Sequence, residues 1–223
     1  VELAPGDPDL HFNLGNMLVQ TGDGAGAEAS YRAALALDPN IAEAHLNLGI
    51  LTLNRLQIAS AEQHLRMAAQ LDQELDTPWL HLARIANARF QFEESRRIYG
   101  VYKSRVQDPA EQRRIDQVIA ELDLQIEVSR EAVARGEIHL LQARFANEGG
   151  ALDLIAQVRQ GGDFYLLAGQ LSDLGELAGV DAGFMDPAGA QSVIREAVSP
   201  LEVGEMTDPV QLAENWFVFM RVE

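Results

Sequence analysis

A spacing of 34 residues recurs through the N-terminal half of the chain. Small residues recur at this spacing, and so do bulky residues about half a period further along each block. The aligned sets are Leu14-Gly15, Leu48-Gly49 and Leu82-Ala83, then Ala27, Ala61 and Ser95, then Tyr31, Leu65 and Tyr99, then Ala34, Ala68 and Tyr102. Small residues let two helices cross closely and bulky ones fill the contact, so the period predicts a stack of helix pairs.

The repeating block resembles the tetratricopeptide repeat. Three repeats are predicted, at about 8–41, 42–75 and 76–108, within a domain of residues 1–108. Trp79 stands where the family consensus favours tryptophan. The resemblance implies an all-α superhelix whose first helices expose an inner face to a polypeptide. The front half of the chain is therefore predicted to be a binding surface, not a catalyst.

A long amphipathic helix is predicted from Pro109 to Ala134. Asp108-Pro109 provides a start signal and Gly136 a stop signal. Stacked repeats leave an apolar end uncovered, so we interpret residues 109–136 as a capping and linking helix. An independent helix that binds a partner is the alternative.

Candidate binding residues lie on the predicted inner face of the repeats. Asn13 and Asn47 share one repeat position, and His81 occupies that position in the third repeat. The side-chain amides of the two asparagines are candidates to hold the backbone of an extended peptide. The alternative is that asparagine is simply common there. The other groove candidates are Phe12, Asn16, Leu46, Leu80 and Arg84. Members of the family that bind chaperone tails use lysine where this chain has Phe12, Leu46 and Leu80. Recognition of chaperone C-termini is therefore not expected.

The periodicity changes after Gly136, where an α+β domain of residues 137–223 is predicted. Strands are expected at 138–141 and 216–222, with helices at about 149–160, 164–171 and 189–198. A glycine-punctuated loop is expected between the second and third of these helices. The stretch from Val203 to Leu212 contains Pro209, which indicates an edge strand or a bulge.

This segment resembles the parvulin peptidyl-prolyl isomerases in the order and spacing of its motifs. The motifs are Ile138 to Leu141, Gly161 to Phe164, Ala168, Ser172, Gly179 to Phe184, Leu201 to Val210 and the final hydrophobic strand. The resemblance implies a four-stranded sheet flanked by helices. The family catalyses cis–trans isomerisation of X-Pro bonds. The uncatalysed reaction is slow, because rotation about the bond has a barrier of roughly 18–20 kcal/mol.

The resemblance places His139 at the first catalytic histidine and Asp173 at the acid position. The pocket methionine falls on Ala190, the pocket phenylalanine on Ile194 and the second histidine on Val218. These replacements remove apolar surface from the proline pocket and a hydrogen-bonding partner from the first histidine. We therefore expect a degenerate active site in which His139 is structural. An active isomerase with an altered pocket is the alternative.

Composition excludes several other functions. The net charge is −17, and residues 137–223 hold 14 acidic and 4 basic side chains, so no basic face for nucleic acid or an anionic membrane is expected. The chain has no cysteine, and His11, His45, His64 and His81 lack the pairing expected of metal ligands, so no metal site or cofactor is predicted. No apolar stretch is long enough to span a bilayer. Val1 to Pro5 resembles the tail of an earlier repeat helix.

The sequence predicts a chaperone-like or scaffolding protein that binds a basic or neutral polypeptide in its repeat groove. Two alternatives remain, an active peptidyl-prolyl isomerase to which the repeats deliver the client and an assembly adaptor without a folding role. The family resemblance favours the periplasm or cell envelope over the cytoplasm.

Overall fold

The computed structural model describes residues 6–171 and 180–222. Within them the chain forms ten α-helices and four β-strands. Residues cluster into two compact units, the described parts of Val1–Ala86 with Glu94–Ile119 and of Asn87–Glu93 with Ala120–Glu223. No helix in the described ranges is long and apolar enough to cross a membrane. Val1 to Pro5, assigned to an earlier helix by sequence, lie outside these ranges.

Within residues 6–134 the chain forms seven helices, the first six of them in three successive pairs, and the first unit holds the parts up to Ala86 and over Glu94–Ile119. The helices are α1 Pro8–Gln20, α2 Gly24–Leu37, α3 Ala42–Asn54, α4 Ile58–Leu71, α5 Thr77–Ala88, α6 Phe92–Arg105 and α7 Pro109–Ala134. Side-chain caps start the first pair, because Asp7 accepts from the backbone N–H of Asp9 and Asp23 from that of Gly26. The long helix predicted over 109–134 is present as α7.

Close helix crossings explain the small residues of the 34-residue period. A Cβ added at Gly15 would lie 2.5 Å from the ring of Tyr31, and one added at Gly49 would lie 2.9 Å from Cγ of Leu65. Tyr31 and Leu65 are both fully buried. The glycine and the bulky residue of each repeat therefore pack directly against each other. In the third pair, Ser95 of α6 donates a 2.9 Å hydrogen bond to the Ala83 carbonyl of α5.

The turn inside each helix pair contains a residue in the left-handed region. Gly22, Leu56 and Phe90 have φ of 82°, 58° and 60°, and they are spaced by the same 34 residues. Glycine adopts this conformation without a Cβ penalty, whereas leucine and phenylalanine do not. The sequence marks only the first of these turns, because the other two lack glycine.

The second unit contains a four-stranded antiparallel sheet in the order β2-β1-β4-β3. Its elements are β1 Ile138–Phe145, α8 Glu148–Arg159, α9 Phe164–Leu171, β2 Asp181–Met185, α10 Ser192–Val198, β3 Val210–Leu212 and β4 Asn215–Arg221. One face of the sheet packs Leu141, Ala143 and Val218 against residues of α8 and α9. The other face packs Leu140 and Phe219 against Val198 of α10.

The sheet differs from the sequence prediction at three places. β2 occupies the segment that we predicted as a loop, because it is an exposed edge strand interrupted by Gly183 at φ 74° and shows no clear alternation. β1 continues to Phe145, with buried and half-buried residues alternating beyond Leu141. The extended stretch before Leu212 contributes a regular strand only at 210–212, at the sheet edge, with an isolated bridge from Met206 to Met220.

Candidate functional site

A hydrogen-bonded cluster joins the first two helix pairs on the predicted inner face. The Tyr31 hydroxyl donates to Oδ1 of Asn16 at 2.7 Å. Nδ2 of Asn47 donates to the same oxygen at 3.0 Å and to the Tyr31 hydroxyl at 3.2 Å. Burial raises the pKa of Tyr31 and the bond from Asn47 opposes this rise, so the phenol remains a donor at neutral pH. We call Asn16, Tyr31 and Asn47 the amide cluster.

The amide cluster fixes which way its two amides point. Oδ1 of Asn16 already accepts two hydrogen bonds, and Nδ2 of Asn47 uses both of its hydrogens. Nδ2 of Asn16 and Oδ1 of Asn47 have no partner among the described residues. The cluster therefore presents one free donor group and one free acceptor, the two functions that a peptide backbone complements.

The structure places the other predicted groove residues around this cluster. Asn47 pairs with Asn16, 31 residues away, whereas the exposed Asn13 makes no bond to it. Phe12 is half-buried with its ring 5.9 Å from that of Tyr31, and Leu46 and Leu80 are also half-buried. Asn16 was one of the predicted groove residues, but sequence alignment at a fixed period did not indicate its contact with Asn47.

The third helix pair adds a cation to the same register. Arg84 is exposed and shares its repeat position with Asn16 and Ile50, while His81 shares that of Asn13 and Asn47. Burial lowers the pKa of His81, and the charge of Arg84 lowers it further, so this imidazole is neutral at pH 7. These six positions hold no carboxylate although the chain carries a net charge of −17. These two repeat positions are therefore neutral or positive in an acidic protein.

The second unit holds the predicted histidine in an enclosed site. His139 of β1 is 4% exposed, and its Nε2–H donates to Oδ1 of Asp181 at 2.8 Å. Its ring lies 4.6 Å from that of Phe184 and 4.8 Å, edge-on, from that of Phe90. The bond from His139 lowers the pKa of Asp181, as does the N–H of Gly183, while burial opposes the shift. Asp181 is therefore ionised at neutral pH.

Asp181 is a partner that sequence reasoning missed. Asp173, the residue predicted for the acid position, lies outside the described residues, as do Ser172 and Gly179 of the same motifs. Asp181 belongs to the motif Gly179 to Phe184, which carried the family resemblance but not a role. Its contact with His139 follows from the pairing of β1 with β2, a strand that the sequence did not reveal.

Two of the three predicted pocket positions lie in different apolar clusters of the sheet. Ile194 packs with the apolar cluster on the α10 face of the sheet. Val218 is fully buried in the cluster on the opposite face. Ala190 follows a short 3-10 turn at 187–189 and is half-buried. The structure therefore does not bring Ile194 and Val218 together in one pocket.

A cleft of about 280 Å³ opens in this unit on the α8–α9 face. Its apolar part is lined by Leu141, Met220 and Val222. Its polar part includes the ion pair between Nε of Arg89 and Oδ2 of Asp163, 3.1 Å apart. His139 is not among the lining residues identified in the described part of the chain. The cleft is therefore not built around the histidine.

Comparison with known proteins finds similarity in the helical half of the chain. Residues 15–54 match a family model described as TPR repeat. The helix pairs within residues 15–54 are therefore TPR-like. The MamA protein has a similar structure, with a TM-score of 0.50 at 20% identity over 58% of this chain and 69% of that one. The Yersinia enterocolitica type III secretion chaperone SycD, solved with a peptide of the translocator YopD, shows a TM-score of 0.48 at 16% identity, over 52% of this chain and 92% of that one.

A longer protein shows similarity in sequence. The periplasmic chaperone PpiD of Haemophilus ducreyi (strain 35000HP / ATCC 700724) is 26% identical over 151 residues, which is 60% of this chain. The match spans 24% of the length of that relative.

Proposed function

We propose that this protein binds extended polypeptide in the groove formed by α1, α3 and α5, as a chaperone-like or scaffolding protein. The amide cluster is the observation that carries the proposal. It offers a fixed donor at Asn16 and a fixed acceptor at Asn47, so it suits a peptide N–H and C=O whatever the side chains. A TPR fold and a distant relative named as a chaperone support this class of function.

Preorganisation strengthens the argument from the amide cluster. Ordering a flexible asparagine on binding costs on the order of 1 kcal/mol per side chain, and the internal bonds remove most of that cost before a peptide arrives. The half-buried Phe12, Leu46 and Leu80 provide apolar surface beside it. Arg84 favours a peptide without a positive charge at the end that contacts the third helix pair.

The groove is tested with fluorescein-labelled unstructured peptides of acidic, neutral and basic composition. Loss of one backbone hydrogen bond corresponds to about a five- to tenfold weaker Kd, so Asn16→Ala and Asn47→Ala should each weaken every peptide by that factor. Gln63→Ala, an exposed amide on the outer helix α4, is the matched control and should bind as the wild type does. Equal affinities for all four proteins would overturn the groove assignment.

The peptide panel also separates a chaperone from an adaptor. A chaperone-like protein should bind most of the panel with similar affinity, because the amide cluster reads only backbone. An adaptor should ignore the panel and bind one folded or linear partner in a fixed stoichiometry. Complexes are isolated by cross-linking, and size-exclusion chromatography with light scattering then measures their stoichiometry. A fixed stoichiometry indicates the adaptor.

We further propose that the second unit is a parvulin-like domain without isomerase activity. Its antiparallel sheet flanked by helices and the distant match to PpiD support the resemblance. The enclosure of His139 by Phe90 and Phe184 and the separation of Ile194 from Val218 favour a structural role for the histidine.

Exchange spectroscopy on proline peptides tests this second proposal. Cis–trans exchange of an X-Pro panel, followed by NMR, should remain at the uncatalysed rate with the wild-type protein. Catalysis that disappears in both His139→Ala and Asp181→Ala would establish the alternative, an active isomerase that uses this hydrogen-bonded pair. Asp173→Ala tests the acid position predicted from sequence in the same assay.

A further inference from the structure

Two histidines face each other inside the second helix pair. Nδ1 of His45 on α3 lies 3.0 Å from Nδ1 of His64 on α4, and the ring centroids are 5.3 Å apart. Nε2 of His45 lies 3.1 Å from the carbonyl oxygen of Pro39. No pattern in the sequence indicated this pairing, and the described residues contain no group of three or more metal-ligating side chains. We call His45 and His64 the histidine pair.

The hydrogen bonds assign the tautomers of the neutral pair. A carbonyl oxygen only accepts, so Nε2 of His45 carries a hydrogen and donates to Pro39. Nδ1 of neutral His45 is then a bare acceptor, and Nδ1–H of His64 must donate to it. The bond between α3 and α4 therefore depends on one hydrogen shared between two nitrogens.

Protonation of the pair is limited by this geometry. A first proton is compatible with the bond, because one Nδ1 can remain bare while the other donates. A second proton leaves hydrogens on both Nδ1 atoms at 3.0 Å and places two positive charges in contact. The pair in its closed arrangement therefore accepts one proton and rejects the second.

The surroundings do not offset a second positive charge. The charged groups of α2 that affect the pKa of His64 are Arg32 and Glu28. Glu28 is buried and already paired, with Arg32 at 2.7 Å and with Arg55. Burial lowers the pKa of His45, although the Pro39 carbonyl opposes this. Burial, His45 and Arg32 lower the pKa of His64, in that order, and Glu28 opposes them.

We propose that the histidine pair makes the second helix pair acid-sensitive, so that α3 opens from α4 more often when the pH falls below about 6.5. The open pair binds two protons at low pH and the closed pair binds one, so the contribution of the pair to stability is fully present above that pH and is lost progressively as the pH falls below it. Asn47 lies two residues after His45 on α3, so an opening that moves α3 also moves Asn47 of the amide cluster. Only the resulting release of peptide rests on the proposed function.

The imidazole nitrogens of the full-length chain test the first step. With 15N-labelled histidine, long-range correlation spectra at pH 7.5 should show His45 as the Nε2–H tautomer and His64 as the Nδ1–H tautomer. On acidification the two rings should titrate as a coupled pair in two separate steps. Two independent single-step titrations, each near the ordinary histidine value, would refute the proposal, and this measurement needs no variant.

Hydrogen exchange tests the second step. The open form of α3–α4 can bind one proton more than the closed form. For an ordinary histidine pKa near 6.5, this raises the equilibrium constant for opening by about 30-fold between pH 7.5 and pH 5.0. Protection factors of α3 and α4 amides, corrected for the intrinsic pH dependence of exchange, should fall by that factor. His64→Gln should remove the effect, whereas His11→Gln on α1 should retain it. Protection factors of the wild type that do not change with pH would overturn the proposal, even if peptide binding is confirmed. Failure of peptide binding would overturn the proposed function but not the acid sensitivity of the histidine pair.

Discussion

The carboxylate of Asp181 lies 2.8 Å from Nε2 of His139, and the same oxygen accepts the backbone N–H of Gly183 at 2.8 Å. These bonds lie where the register between β1 and β2 shifts, between Leu140 and Leu141. A side chain therefore supplies hydrogen bonds where the regular ladder is interrupted. The pair consequently holds an edge strand onto the sheet.

Replacing Asp181 tests this role. Asp181→Ala should lower the free energy of unfolding by about 1 kcal/mol at pH 7, because it removes two bonds to a partly exposed carboxylate. Asp181→Asn should cost less, since its amide oxygen can still accept from His139. The pKa of Asp181 is below its ordinary value of 3.8 in the folded state, so its contribution is present above that pH and is lost as the pH falls further. Urea unfolding at pH 7 and pH 3 measures the difference.

The result has a clear contrary outcome. If the wild type and Asp181→Ala differ by the same free energy at pH 7 and pH 3, the ionised carboxylate contributes nothing and the effect arises from packing.

The close crossings predict unequal effects of adding a methyl group to different glycines. Gly15→Ala should cost about 2 kcal/mol, because the new Cβ would meet the ring of Tyr31 at 2.5 Å and hydrogen bonds hold that ring. Gly49→Ala should cost less, because its 2.9 Å contact is to the more adaptable Leu65. Thermal unfolding compares the variants.

Gly100 provides the matched control on α6. A Cβ there meets nothing within 4 Å, so Gly100→Ala should stabilise the helix by about 0.5–1 kcal/mol. A destabilising Gly100→Ala, or a neutral Gly15→Ala, would contradict the assignment of close packing to the aligned glycines.

Phe90 should contribute more to its unit than its turn position suggests. Its ring makes edge contacts to His139 at 4.8 Å and Tyr165 at 5.5 Å. Phe90→Ala should therefore lower the stability of the second unit by about 2 kcal/mol, because it removes these aromatic contacts and a third to Phe92 and leaves a cavity. Hydrogen exchange of β1 amides reports on this unit.

Leu56→Ala is the control for backbone conformation. Leu56 has nearly the same φ as Phe90 and occupies the same position in the preceding repeat. Its replacement should leave β1 exchange unchanged, while Phe90→Ala accelerates it. Equal β1 exchange in both variants would show that the aromatic contacts are energetically unimportant.

The sequence predicted the features that depend on local periodicity and missed those that depend on pairing across the chain. The contact between Gly15 and Tyr31 lies within one helix pair and recurs in the next pair, so the 34-residue spacing indicated the positions of both residues. The bond between Asn16 and Asn47 joins two repeats, and its partners lie 31 residues apart and not 34. The bond between His139 and Asp181 spans 42 residues and depends on an edge strand without clear alternation.

The amide cluster should behave as a cooperative unit in the free protein. Tyr31→Phe removes one donor to Asn16 and one acceptor of Asn47 while the ring still fills the space beside Gly15, so it should cost about 1 kcal/mol. Asn47→Ala removes the second donor to the same oxygen of Asn16. Because the two variants share a partner, their combined effect on urea unfolding should differ from the sum by more than about 0.5 kcal/mol. Tyr31→Phe combined with Ser95→Ala, whose hydroxyl bonds to Ala83 in another repeat, should be additive. Additivity in both pairs would mean that the three side chains bind independently and that no preorganised site exists.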